Sequence, residues 1–242
     1  MRYFFTLIFS LLIYSANGQQ LYETPPGTIK INDTLFIDKA PVDNLMYLEF
    51  MTKVESLWNN KLHKTLKSMS LEEIDDSVIS NFDSSMDNQE LLNTISTVEN
   101  IAISDSVNME YYFNHPKFQY HPMVGITKDQ AQLFCKWRTD MVNLRWGMKI
   151  KENKNNYRKI RYRLPTDKDL DLATKVFREN GKFVFSDQTS LEKINFKDRG
   201  QKEAFFLYNI PEFTQSEDNT ALTEENKDFN FKFFRCICEV EK

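Results

Sequence analysis

Between Gly27 and Lys39 the chain alternates in twos: Ile29 and Ile31 are separated by a polar residue, Asn32-Asp33 interrupt the pattern, and Leu35 and Ile37 resume it. Side chains of a strand point to opposite faces in turn, so this pattern predicts a β-hairpin with its turn at Asn32-Asp33. The period then changes. Tyr47, Met51, Val54, Trp58 and Leu62 fall three or four positions apart behind Asp43 and Asn44, either of which can cap a helix. A stripe with that spacing predicts an amphipathic helix able to cover the apolar face of the hairpin.

Residues 66–110 are rich in Ser, Asp, Asn and Glu, with a weak apolar pattern around Leu91, Leu92 and Ile95. They read as an insertion, partly helical and largely on the surface. Thr127-Lys128-Asp129-Gln130 forms a capping box ahead of Ala131, Phe134, Cys135, Met141 and Leu144, which puts Cys135 on or near the buried face of a helix. The basic cluster from Lys149 to Arg163 is mixed with Glu152 and asparagines and reads as a solvated loop rather than a phosphate-binding patch. Thr166 caps a further helix with Asp169 at its third position. Leu170, Ala173 and Phe177 form its inner stripe, and Gly181 ends it. Short β-like runs follow at Lys182 to Phe185 and Ala204 to Tyr208. Near the C-terminus Phe229, Phe231 and Phe233 share one face, then Phe234, Cys236, Cys238 and Val240 share the next register, and that change of phase predicts a bulge or bend. Without repeats or linkers, the pattern is that of one α+β domain.

Composition narrows the function. Arg2, the apolar run Tyr3 to Tyr14 and Ala16-Asn17-Gly18 predict a signal peptide over residues 1–18, cleaved after Gly18, and hence a secreted or periplasmic protein starting at Gln19. The run is too short to span a bilayer, which takes about 20 residues, and no later stretch approaches that length. A membrane-spanning chain is therefore not expected. Thirty-one Lys and Arg against 35 Asp and Glu, a net charge of −4, supply no basic field for nucleic acid. The three histidines, His63, His115 and His121, are scattered, and no paired C-x-x-C elements occur. No metal site or cofactor is expected from such spacing. The acidic pair Asp75-Asp76 lacks the glycine and spaced ligands of a calcium loop, and Asn32-Asp33-Thr34, although a glycan acceptor pattern, is explained by the turn. No G-x-S-x-G elbow or phosphate-cradling loop is present. Three cysteines, Cys135, Cys236 and Cys238, predict one bridge and one leftover thiol in an oxidising compartment.

Four stretches, in order, resemble framework motifs of the formylglycine-generating-enzyme (sulfatase-modifying factor) family. They are FIDKAPVDNLMYLEF at 36–50, HPMVGITKDQAQLFCKWR at 121–138, YRLPTDKDLDLA at 162–173 and FFRCICEV at 233–240. Within the first, Asn44, Tyr47 and Phe50 match the family pattern, whereas Pro41 and Asp43 replace its Glu and Thr. Leu170 replaces a tryptophan of the third, and Phe233 a glycine of the fourth. The resemblance implies a C-type-lectin-like fold with irregular loops and short antiparallel sheets, and a disulfide between Cys135 and Cys236. It also defines what is missing. Active members carry a Gly-Asn-Val-Trp-Glu-Trp stretch, an Arg-Gly-Gly-Ser stretch and two reactive cysteines upstream of the terminal motif. Here LYNIPEFT at 207–214 resembles a shortened remnant of the first, and residues 215–234 contain neither Gly nor Cys. No catalytic residue is assigned on that basis. The resemblance therefore points to a non-catalytic, exported module binding a protein or glycan of the cell envelope. The alternative is a formylglycine-generating-type oxidase acting on a protein cysteine, in which Cys236 and Cys238 act as a C-x-C pair.

Overall fold

The computed structural model describes residues 24–58, 88–104, 106–149, 159–197, 203–216 and 229–241. The expected signal peptide, Leu62, His63, Asp75 and Asp76 lie outside them. The central sheet is four-stranded and antiparallel, in the order β1 (Thr28–Lys30), β2 (Leu35–Asp38), β6 (Ile237–Glu241), β3 (Lys159–Arg163). The predicted hairpin is β1–β2, with Ile29 opposite Ile37. Its turn is stapled by Asn32, whose Oδ1 accepts hydrogen bonds from the Thr34 backbone N–H and hydroxyl. The C-terminal strand β6 enters between β2 and β3, pairing Cys238 with Phe36 on one side and with Tyr162 on the other.

That pleat sorts the sheet into two cores. On one face Phe36, Ile160, Tyr162, Cys236, Cys238 and Val240 meet helix α4 (Lys128–Lys149) and, beyond it, α1 (Asn44–Trp58). There Tyr47, Phe50, Phe134, Trp137 and Phe234 form a cluster of stacked and edge-on rings. On the other face Ile29, Ile31, Ile37 and Ile237 pack against Leu170, Ala173 and Phe177 of helix α5 (Asp167–Glu179). It is thus α5, rather than α1, that covers the hairpin. The α1 stripe is satisfied by the rings of α4 instead.

The predicted caps are present. Asp43 Oδ1 accepts from Met46 N–H at the start of α1, Thr127 and Gln130 bond reciprocally ahead of α4, and Thr166 and Asp169 form a full capping box on α5. Gly181, at φ 65°, turns the chain out of α5 through the left-handed region that a Cβ disfavours. Helix α2 (Asn88–Ser96) is less peripheral than its polar composition suggests: Leu91 and Ile95 are buried in the main core, and Gln130 Nε2 bonds the carbonyls of Thr94 and Thr97.

Lys159 to Arg163, expected in a solvated loop, is the edge strand β3, because Ile160 and Tyr162 alternate with the three charges and bury their side chains. The runs at β4 (Phe183–Ser186) and β5 (Phe205–Tyr208) pair in parallel, so the smaller sheet is not antiparallel. Phe233 and Phe234 are both fully buried, ahead of β6, where Phe233 bridges Glu212 and Val42 N–H bonds Phe234 O. The expected break in phase lies there. No helix among the described residues is long and apolar enough to cross a membrane.

Candidate functional site

The chemically distinctive residues converge where β6 enters the sheet. Residues 235 and 236 are neighbours, so on extended backbone their side chains leave on opposite sides. Cys236 projects toward α4, and its Sγ stands 3.2 Å from that of Cys135, which is 101 positions earlier in the chain. Two positions on, Cys238 occupies the same sheet face. All three cysteines are buried. Burial pushes the Cys135 and Cys238 thiols well above their usual range. The neighbouring Cys236 adds to this for Cys135, and in both cases Arg138 opposes it only partly.

Beside the sulfurs lies an ion pair. Arg138, from α4, donates to both carboxylate oxygens of Asp38 at 2.8 Å and to Pro26 O at 2.6 Å, with its guanidinium 4.3 Å from the centre of the Tyr162 ring. The second Asp38 role is structural: Oδ2 accepts from Cys236 N–H at 2.8 Å. On the opposite side Arg235 is wholly buried. It forms a bidentate pair with Glu212 at 2.6 Å for each contact, donates to the carbonyls of Phe206 and Asp38, and lies 4.7 Å from the Phe205 ring centre. Planar, two-point pairing of this kind fixes orientation as well as charge.

A groove of about 490 Å³ runs between α4 and the outer edge of β3, with Cys135, Lys136, Lys159, Arg161 and Arg163 among its lining residues. The edge backbone is already closed by α4. Asn143 donates to Ile160 O and accepts from Ile160 N–H, while Thr139 Oγ1 accepts from Tyr162 N–H. Residues one helical turn apart therefore match strand residues two apart, and the edge is protected from pairing with another strand.

A sequence model of the Sulfatase-modifying factor enzyme 1-like domain matches residues 12–230. The chain belongs to the sulfatase-modifying factor family. Three of the four motif stretches fall inside the matched interval, and FFRCICEV lies just beyond it. No curated protein and no solved structure matches the chain.

In this member of the sulfatase-modifying factor family, the structure brings Cys135 and Cys236 together and sets Cys238 beside them. His115 and His121 are not brought together. His115 is exposed on a surface turn, whereas His121 is buried, with Nδ1 2.9 Å from Leu191 O and Nε2 3.2 Å from the Asn195 amide nitrogen. Burial lowers the His121 pKa below its ordinary value. Burial opposes deprotonation of the Cys135 and Cys238 thiols, and no group of three or more His, Cys, Asp or Glu residues that could hold a metal gathers among the described residues. Sequence reasoning missed Asp38, Arg138, Glu212 and Arg235 as partners. Each lies within a quoted stretch, Asp38 in FID and Glu212 in the LYNIPEFT remnant, but nothing in linear spacing says which acid meets which arginine.

Proposed function

We propose that the chain is an exported, non-catalytic sulfatase-modifying-factor domain that serves as a binding or assembly module in the cell envelope. The observation that carries this reading is the position of its cysteines: all three are buried beside one sheet face, with the sulfurs of Cys135 and Cys236 3.2 Å apart. Residues 215–234, where the family's reactive cysteines would stand, contain none. The three cysteines that the chain does carry instead serve the frame. A disulfide between Cys135 and Cys236 would join α4 to the terminal strand, the C-type-lectin-like arrangement would hold irregular loops on that frame, and the partner would be a protein or glycan met on those loops. Incubation of the purified protein with copper and a peptide carrying the cysteine sulfatase motif tests the reading. No aldehyde product is expected. An aldehyde formed in proportion to enzyme, and lost in the Cys236→Ser variant, would establish the oxidase alternative.

A further inference from the structure

Helix α3 (Met109–Asn114) is a single amphipathic turn and a half with two distinct duties. Inward, Met109, Tyr112 and Phe113 are buried, the Tyr112 hydroxyl donates to Pro122 O at 2.7 Å, and Asn44 Nδ2 donates to the carbonyls of Tyr112 and Phe118. The element is therefore rigidly seated. Outward, Asn108, Glu110, Tyr111, Asn114, His115 and Pro116 line a shallow depression of about 410 Å³, and all six are exposed. Asn108 and His115 cap the helix at its two ends, and His115 stacks on Tyr111 between them.

The outward polar groups are half committed. Asn108 Oδ1 accepts from Tyr111 N–H, which leaves its NH₂ as a donor, and Asn114 Nδ2 donates to Glu110 O, which leaves its Oδ1 as an acceptor. His115 Nδ1 accepts from Lys117 N–H, which leaves Nε2 for a ligand. Each side chain is thus aimed by a backbone contact at one end and free at the other. Between them lies Tyr111, 46 % exposed and stacked on His115 at 4.5 Å.

An exposed ring flanked by oriented donors and acceptors is suited to a molecule that has an apolar face and a rim of hydroxyls, each able to both donate and accept. A pyranose has that form. An anionic ligand would meet Glu110, and an apolar peptide would leave four polar groups unpaired. We propose that the α3 surface is a binding subsite for a neutral glycan, with Tyr111 as the platform and Asn108, Glu110, Asn114 and His115 as the hydroxyl partners. The proposal deepens the reading of the chain as a binding module and names one class of partner for it. Preorganisation by backbone contacts reduces the ordering cost of binding, which is what allows so shallow a site to work.

The test is protein-observed NMR titration of the whole exported chain with cellotetraose, chitotetraose and mannotetraose. At least one should give saturable shifts that map to Tyr111, Asn114 and His115, with a dissociation constant in the millimolar range or tighter. Tyr111→Ala should weaken that binding by roughly tenfold or more, Tyr111→Trp should retain it, and the amide spectrum should show both variants folded, since the ring is 46 % exposed and only its edge meets Phe118. If none of the three sugars shifts these residues, or if Tyr111→Ala binds as the parent does, the subsite is refuted. Those results leave the oxidase question untouched, because that is decided separately by the aldehyde assay.

Discussion

Asp43 shows how a single residue can tie stability to pH. Its carboxylate caps α1 and is enclosed at a bridge to Pro122. Burial raises its pKa from 3.8 to about 6, more than the amide hydrogen bonds from Met46 and Leu45 lower it. A carboxyl whose folded pKa is raised favours folding most below its unfolded value, and that contribution is lost as pH rises through about 6. Asp43→Asn retains an equally good cap without a titrating group. The parent should therefore lose stability relative to the variant as pH rises from about 4 to 7, while the contributions of His121, Asp169 and Glu203 are common to both and cancel in the difference. His121 acts with the opposite sign: its lowered pKa gives a contribution present above its ordinary 6.5 and lost as pH falls. Thermal melts of Asp43→Asn and of the parent across that range measure the difference, and parallel curves would remove Asp43 from the account. Arg235 is a residue of another kind. Replacing it with Met strands Glu212 as a buried, unpaired acid and should cost about 3–5 kcal/mol, whereas the Arg235→Met, Glu212→Leu double variant should recover much of that in urea unfolding.

At the scale of elements, legibility followed local rules. The caps at Thr127 and Thr166, the turn at Asn32-Asp33 and the exit at Gly181 each act over a few residues, and each was visible in the sequence. Contacts between elements were not. Nothing in the periodicity of β1–β2 says whether α1 or α5 covers it, and Lys159 to Arg163 concealed an edge strand because its three charges outweighed two alternating apolar residues. The parallel pairing of β4 with β5 is likewise a tertiary choice. The edge of β3 gives an element-scale prediction. Asn143→Leu removes the two bonds to Ile160 and should cost about 1–3 kcal/mol, and Thr139→Val should do the same at Tyr162. Hydrogen exchange should accelerate selectively at the amides of Ile160 in the first and Tyr162 in the second. Unchanged exchange at both would mean that water replaces these side chains without loss.

At the scale of the molecule, the candidate site was half legible. The motif resemblance implies a Cys135–Cys236 disulfide, and the structure places the two as neighbouring free cysteines with sulfurs 3.2 Å apart. The surrounding Asp38–Arg138 and Glu212–Arg235 pairs could not be read, since a charge in a sequence carries no address. We propose that this family frame keeps its cysteines for structure rather than chemistry. A bridge from Cys135 to Cys236 would stabilise the fold by up to about 4.7 kcal/mol in the chain-entropy model. Peptide mapping of the native protein under non-reducing conditions, with alkylation before and after denaturation, tests this most directly. The expected result is a single peptide pair joining Cys135 to Cys236, with Cys238 unmodified until the protein is unfolded. Rapid alkylation of two or three thiols in the native state, or a bridge involving Cys238, would contradict it.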